Sequence, residues 1–204
     1  ENYAREVMQL FSIGLIELNL DGSPVTKNGL PVETYGLDDI TGLARVFTGW
    51  DFDLTTSNTS TPDYHKRPLR QVATKHEYGS STFLGKSIPA NVSGEVALSM
   101  SLDILFAHPN VAPFISRQLI QRLVTSNPSP AYIARVATVF NNNGIGVKGD
   151  MKAVIKAILL DNEARDTSGT SNAQFGKIRE PMMRFLGWAR SFAATSNADT
   201  WLIG

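Results

Sequence analysis

The chain contains no cysteine, which excludes disulfides, thiolate-bound metal and a cysteine nucleophile. The compartment stays open, because oxidising and reducing spaces both tolerate a cysteine-free chain. Net charge is equally lacking: 19 Lys and Arg balance 19 Asp and Glu. No whole-chain field therefore draws nucleic acid or an anionic membrane, and only a local patch would do so. No apolar run approaches the roughly 20 residues needed to span a bilayer. A Gly-rich phosphate loop, a Gly-x-Ser-x-Gly elbow and a dinucleotide fingerprint are all missing, which sets those enzyme classes aside. The chain opens on Glu1 with neither a start methionine nor a leader, and is expected to be a processed or excised piece of a longer protein.

What is present is a well-mixed chain of 204 residues, 42% hydrophobic and 19% charged. That is enough apolar material for a buried core and too much for disorder, so a single domain over residues 1–204 is expected. Its first stretch, Asn2 to Gly14, places Ala4, Val7, Met8 and Phe11 on one helical face, with Arg5, Glu6 and Gln9 on the flank and Gly14 as a left-handed C-cap. An Arg-Glu pair on the shoulder of an apolar stripe is expected to be partly buried and clasped by counter-charges from elsewhere, since unpaired buried charge is costly.

Residues 15–35 alternate and carry the turn pairs Asp21-Gly22 and Asn28-Gly29, which predicts a small hairpin or meander. Helical spacing returns from Leu37 to Trp50 through Ile40, Leu43, Ala44 and Phe47, with Asp38 and Asp39 in the first turn, Arg45 beside the apolar face and Gly49 as the stop. Residues 51–92 read as a long irregular loop carrying His65 and His76, its second half pinned to the core by Phe83, Leu84 and Ile88.

From Ser93 onward the pattern is helical almost throughout. Ser93 caps a helix through Val96, Ala97, Met100, Ile104 and Leu105 that stops at His108-Pro109, where His108 is expected to bond the last carbonyls. Asn110 caps the next, with Phe114, Ile115, Leu119 and Leu123 inward. Ser129-Pro130 opens a third, through Ile133, Val136, Ala137 and Phe140, and Asp150 opens a fourth that buries Val154, Ile155, Ile158 and Leu159. Asp161 caps a short turn, and Pro181 begins the last helix, carrying Met182, Phe185, Leu186, Ala189 and Phe192. The fold class is therefore all-α: about six to eight helices in a bundle-like or orthogonal array, with a small β-hairpin and a long irregular loop.

The segments Asn2-Tyr-Ala-Arg-Glu6, Ala44-Arg-Val-Phe-Thr-Gly-Trp50, His76-Glu-Tyr-Gly79, Phe83-Leu-Gly85, His108-Pro109, the run from Ala157 to Arg165 and Lys177-Ile-Arg-Glu-Pro181 carry a resemblance. Seven short matches in order resemble the signature of a bacterial family called domain of unknown function eighteen hundred. Members are considerably longer, so the chain resembles their C-terminal part. Ser81 stands where members commonly have lysine. The resemblance implies export to the periplasm or beyond, often beside a sulfatase-like neighbour, and implies no established reaction.

Candidate sites follow from the same residues. His76-Glu77, Arg5-Glu6 and Arg179-Glu180 would form a convergent polar pocket, with Glu6, His76 and Glu77 as acid/base groups and Arg5, Arg45, Trp50, Arg179 and Glu180 as binding groups. The competing reading, which we favour, is that these charges satisfy one another and hold helices in register. A metal held by His65, His76 and His108 with Asp63 lacks the tight spacing of known helical zinc motifs, so neither metal nor cofactor is expected. Trp50-Asp51-Phe52-Asp53 sets an aromatic platform beside two carboxylates, as a sugar cleft would. Arg117, Arg122 and Arg135 on adjacent helices would bind phosphate or sulfate, or be solvated and paired.

Two functions follow. The favoured one is an exported helical module that binds or presents a polysaccharide or a partner protein. The alternative is a hydrolase of a polysaccharide or another ester- or sulfate-bearing polymer, working through Glu6, His76 and Glu77. Neither nucleic acid nor a transmembrane segment is expected.

Overall fold

The structure is a computed structural model, and it describes residues 1–54, 64–166 and 174–197. Among these the chain is mostly α-helical, with eight α-helices and three two-stranded antiparallel sheets. The helices are α1 (Asn2–Gln9), α2 (Leu37–Val46), α3 (Gly94–Ala107), α4 (Val111–Leu123), α5 (Pro130–Asn141), α6 (Met151–Leu160), α7 (Asn162–Arg165) and α8 (Pro181–Ser191). The buried side chains form one cluster to which α1 to α6 and the β5–β6 hairpin described below contribute.

Local chemistry accounts for most of the element ends. The Ser129 hydroxyl accepts from the Tyr132 N–H at 3.1 Å with Pro130 in the first turn, and the Asp150 carboxylate accepts from Ala153 N–H at 3.1 Å. Each satisfies an N–H that the first helical turn would otherwise leave unbonded. Asn28 and Gly29, both at positive φ, turn β1 (Thr26–Lys27) onto β2 (Leu30–Pro31), as a two-residue hairpin requires. Bridges from Ile16 to Glu33 and from Leu18 to Pro24 extend that hairpin into the expected meander.

Three expectations are corrected. α1 ends at Gln9, and Gly14 takes its left-handed φ of +74° five residues later, in a turn whose Ile13 and Gly14 N–H groups return to the Met8 carbonyl. Ala4, Met8 and Ile13 are buried, whereas Phe11, which the longer helix would have faced inward, is 70% exposed. Residues 55–63 of the expected irregular loop lie outside the described residues, and the described part of 51–92 is less irregular than expected: β3 (Trp50–Asp51) pairs with β4 (Arg70–Gln71), and β5 (Ser81–Phe83) folds back on β6 (Lys86–Ile88) across Leu84-Gly85. Leu84 adopts φ +49°, held by the Asp39 carboxylate at 2.6 Å from its N–H. The expected inward faces are also too wide, since Val96, Leu123 and Leu159 are exposed: periodicity marks a stripe but not its width.

Asn110 and His108 depart further from expectation. Asn110 precedes α4 without capping it by its side chain. Instead the buried amide donates to the Ile13 and Ile16 carbonyls and accepts from the Leu18 N–H, each at 2.7 Å. The His108 side chain leaves the α3 carbonyls alone, and its Nδ1 accepts from the Asn110 N–H at 3.2 Å. Burial pushes the His108 pKa down, with Glu17 opposing and Lys148 reinforcing. A depressed pKa favours the neutral ring in the fold, so its stabilisation is full above the ordinary histidine value of about 6.5 and is lost as pH falls below it. Melting temperature is expected to drop between about pH 7 and pH 5. Much of that slope should vanish in His108→Asn, whose amide oxygen accepts the same N–H without titrating. An unchanged slope would place the pH dependence elsewhere.

Candidate functional site

Two stretches far apart in sequence meet where α2 ends. At its C-terminus the Thr48 hydroxyl donates to the Arg45 carbonyl at 2.7 Å and accepts from the Glu77 N–H at 2.9 Å. The Thr48 carbonyl lies 3.0 Å from His76 Nδ1. A carbonyl has no proton to give, so Nδ1 carries the hydrogen and Nε2 has no partner among the described residues. The imidazole is buried, edge-on to the Tyr78 ring with centroids 4.9 Å apart. Arg45 grips Glu77 through Nη2 and, at 2.8 Å, through Nε.

Close backbone approach makes this arrangement depend on glycine. At Gly49, φ is +81°, and an added Cβ would lie 2.9 Å from both the His76 nitrogen and the Val72 oxygen. A Cβ on Gly79 would meet Arg45 Nη2 at 2.9 Å. Ser81 is buried and donates its hydroxyl to the Gly42 carbonyl, a hydrogen bond that joins the helix to the hairpin.

The space beside His76 is about 10 Å³, partly open to solvent and lined by Arg45, His76, Glu77, Tyr78, Ser81 and Ile88 among others. That holds one water. The Arg45 hydrogen bond holds the Glu77 carboxyl below the usual carboxylate range, burial opposing and the Arg45 and His76 charges adding. Glu95 approaches from the first turn of α3, its carboxyl lowered first by its own N–H, then by Ser93, with a smaller contribution from His76. Both acids stay ionised at neutral pH, which suits ion pairing and disqualifies either as a proton donor.

The other expected site residues are dispersed. Arg5 is exposed and Glu6 half-buried, one and two positions past the buried Ala4, and neither side chain has a hydrogen bond or ion pair among the described residues. Both act on Tyr35, whose phenol oxygen is buried without a partner among the described residues; its pKa is raised by burial first, with Arg5 opposing and Glu6 adding. The expected clasp of Arg5 and Glu6 by His76 and Arg179 does not form. Glu180 pairs instead with Arg122, while Arg179 lies exposed. Trp50 sits in β3 opposite Gln71, half-buried, its indole nitrogen without a partner among the described residues. Asp51 is bound by Lys75 at 2.6 Å and Asp53 lies 3.8 Å from Arg67, so neither acid of that motif is free. Arg135 grips Asp161 with two hydrogen bonds, at 2.7 and 2.8 Å, which separates it from Arg117 and Arg122. No cluster of three metal-ligating side chains occurs among the described residues, and Asp63 lies outside them.

A second concavity was not anticipated. The end of α1, residues 14–18 and α4 enclose an open cleft of about 390 Å³. Phe114 and Leu15 give it an apolar floor, and Gln9, Arg117, Gln118 and Gln121 supply polar walls. Its geometry is held from beneath. Phe114 packs so tightly on Gly14 that a Cβ there would lie 2.7 Å from the ring, and Thr34 and Asn110 tie the loop down through Gly14, Ile13, Ile16 and Leu18. Gln121 donates to the Ser126 carbonyl at 3.2 Å. Arg117, Gln9 and Gln118 have no hydrogen bond or ion pair among the described residues. The sequence signal was the placement of Arg117, Gln118 and Gln121 at i, i+1 and i+4, which puts them on one flank of α4.

These features define a mostly helical module that packs the Arg45–Glu77 ion pair and the buried His76 against short hairpins and leaves an amide-lined cleft open. The chain belongs to the family described as Protein of unknown function (DUF1800), whose family model matches residues 1–203. No curated protein and no solved structure matches it.

Proposed function

We propose that this chain is a non-catalytic binding module, exported as its family resemblance implies, that holds a segment of acidic polysaccharide in the cleft between α1 and α4. The observation that carries the reading is the contrast between the space beside His76 and the α1–α4 cleft, which among the wider concavities is the one lined by three glutamines and an arginine. The space beside His76 admits a single water, whereas the α1–α4 cleft, at about 390 Å³, falls in the usual range for small-molecule sites. An apolar floor suits the flat face of a sugar ring, amides suit its hydroxyls, and Arg117, the one ionic group lining the cleft, suits a uronate carboxylate or a sulfate ester.

The test is calorimetric titration with oligogalacturonate and with a neutral xylo-oligosaccharide of equal length. Acidic oligomers are expected to bind more tightly. Arg117→Ala with Gln118→Ala should weaken that binding at least roughly tenfold, as the loss of a charge-assisted contact predicts. Equal or absent binding of the two oligomers would sink the reading. Turnover of a sulfated or acetylated polymer that disappears in His76→Gln would favour the hydrolase instead.

A further inference from the structure

Helix α8 is the one long element of the described chain with no buried residue. Met182 and Met183 are each 51% exposed, Trp188 52% and Phe192 71%. At 100° per residue Met182, Phe185, Leu186, Trp188, Ala189 and Phe192 fall within an arc of about 160°, Arg184 and Arg190 flank it on either edge, and Met183, Gly187 and Ser191 lie between the two arginines on the far side. Phe185, Trp188 and Phe192 run along the apolar arc with successive ring centroids 5.9 and 6.0 Å apart.

Charge is as lopsided as hydrophobicity. Residues 177–192 carry Lys177, Arg179, Arg184 and Arg190 against the single carboxylate of Glu180, which Arg122 already neutralises. On a chain of zero net charge this is the local basic patch that composition alone left open. We propose that α8 lies flat on an anionic lipid surface, its aromatic arc sunk at the headgroup boundary and its basic groups on the lipid phosphates. An apolar face rich in Trp, Phe and Leu backed by arginines is the composition of interfacial helices. No described helix is long and apolar enough to cross a bilayer, so the helix lies on the surface rather than spanning it. A lipid surface fits better than a protein partner. The exposed side chains of the arc, Met182, Leu186, Trp188 and Phe192, are bulky, and the one glycine, Gly187, stands on the far side, where it gives a partner helix no close approach to the apolar face.

The experiment is vesicle flotation of the 204-residue chain, with phosphatidylcholine alone and with about 30% phosphatidylglycerol added. Recovery is expected to rise roughly tenfold on the anionic vesicles and to fall back at about 0.5 M salt. Arg184→Glu with Arg190→Glu should remove the anionic preference, and Trp188→Ser with Phe192→Ser should remove binding altogether. Because none of the four substituted side chains is buried, all these variants should keep the parent melting temperature, which separates lost binding from lost folding. No flotation, equal flotation on both vesicles, or lipid-independent dimers that Trp188→Ser with Phe192→Ser dissolves would each overturn the proposal. The last would hand the face to a second copy of the chain. The polysaccharide reading concerns a different surface, so either proposal can fail without the other.

Discussion

Gly42→Ala is expected to lower the melting temperature by roughly 6–12 °C, from a loss of about 3 kcal/mol or more. Helix propensity predicts the opposite sign, since alanine is better than glycine inside a helix by about 1 kcal/mol. Contact decides the outcome. Gly42 is buried in α2 against β5, and a Cβ there would overlap the Thr82 carbonyl oxygen and lie 2.9 Å from its carbon. The obstacle is backbone, which no rotamer change relieves, so the helix and hairpin must separate. Separation would also stretch the bond from Ser81 to the Gly42 carbonyl and shift the strand that follows the His76 segment. The control is Gly187→Ala in α8, where nothing lies within 4 Å of the added atom. There propensity alone acts, and the melting temperature should hold or rise slightly. A Gly42→Ala variant that melts like the parent would show that α2 does not seat on β5 as closely as described.

Asn110→Ala is the second large effect. The substitution strips a buried amide from the Ile13 and Ile16 carbonyls and the Leu18 N–H. Each buried backbone group left unsatisfied costs about 1–3 kcal/mol, and with partial relaxation the three together are expected to cost about 3–5 kcal/mol. Chemical denaturation should report that loss, and any binding of acidic oligosaccharide proposed for the α1–α4 cleft should be lost with it, because the loop forming its edge is released. Asn110→Asp sharpens the point. The carboxylate keeps the acceptor for Leu18 but faces two carbonyls with no hydrogen to offer, so its folded pKa is raised above the unfolded value. A raised pKa means stability is present below the unfolded value and lost as pH rises, so this variant should be weaker at pH 7 than near pH 4. Equal stability at both would show that the side chain does not sit between those carbonyls.

The caps at Ser129 and Asp150 and the Asn28-Gly29 turn were legible because each is settled by chemistry within a few residues. Asn110 misled for the same reason: its type and position suit a cap, and nothing local reveals that its amide is used by residues more than ninety positions away. The charged motifs were visible, but their pairing was not. Arg45 and Glu77 found each other, whereas Arg5 and Glu6 stayed apart from His76 and sit beside Tyr35. α8 has a well-formed apolar stripe of which no residue is buried, and periodicity says only that a stripe exists.

The sequence by itself determined the family, the predominance of helix, and where most elements begin and turn, because those depend on hydrogen bonds and backbone preferences among near neighbours. Tertiary structure alone decided which charges meet, which glycines carry a backbone contact, and that the space beside His76 holds one water while the cleft on α4 stands open. Those outcomes follow from packing distant segments to crystal-like density, where a shift of a single atom's radius separates a contact from a clash.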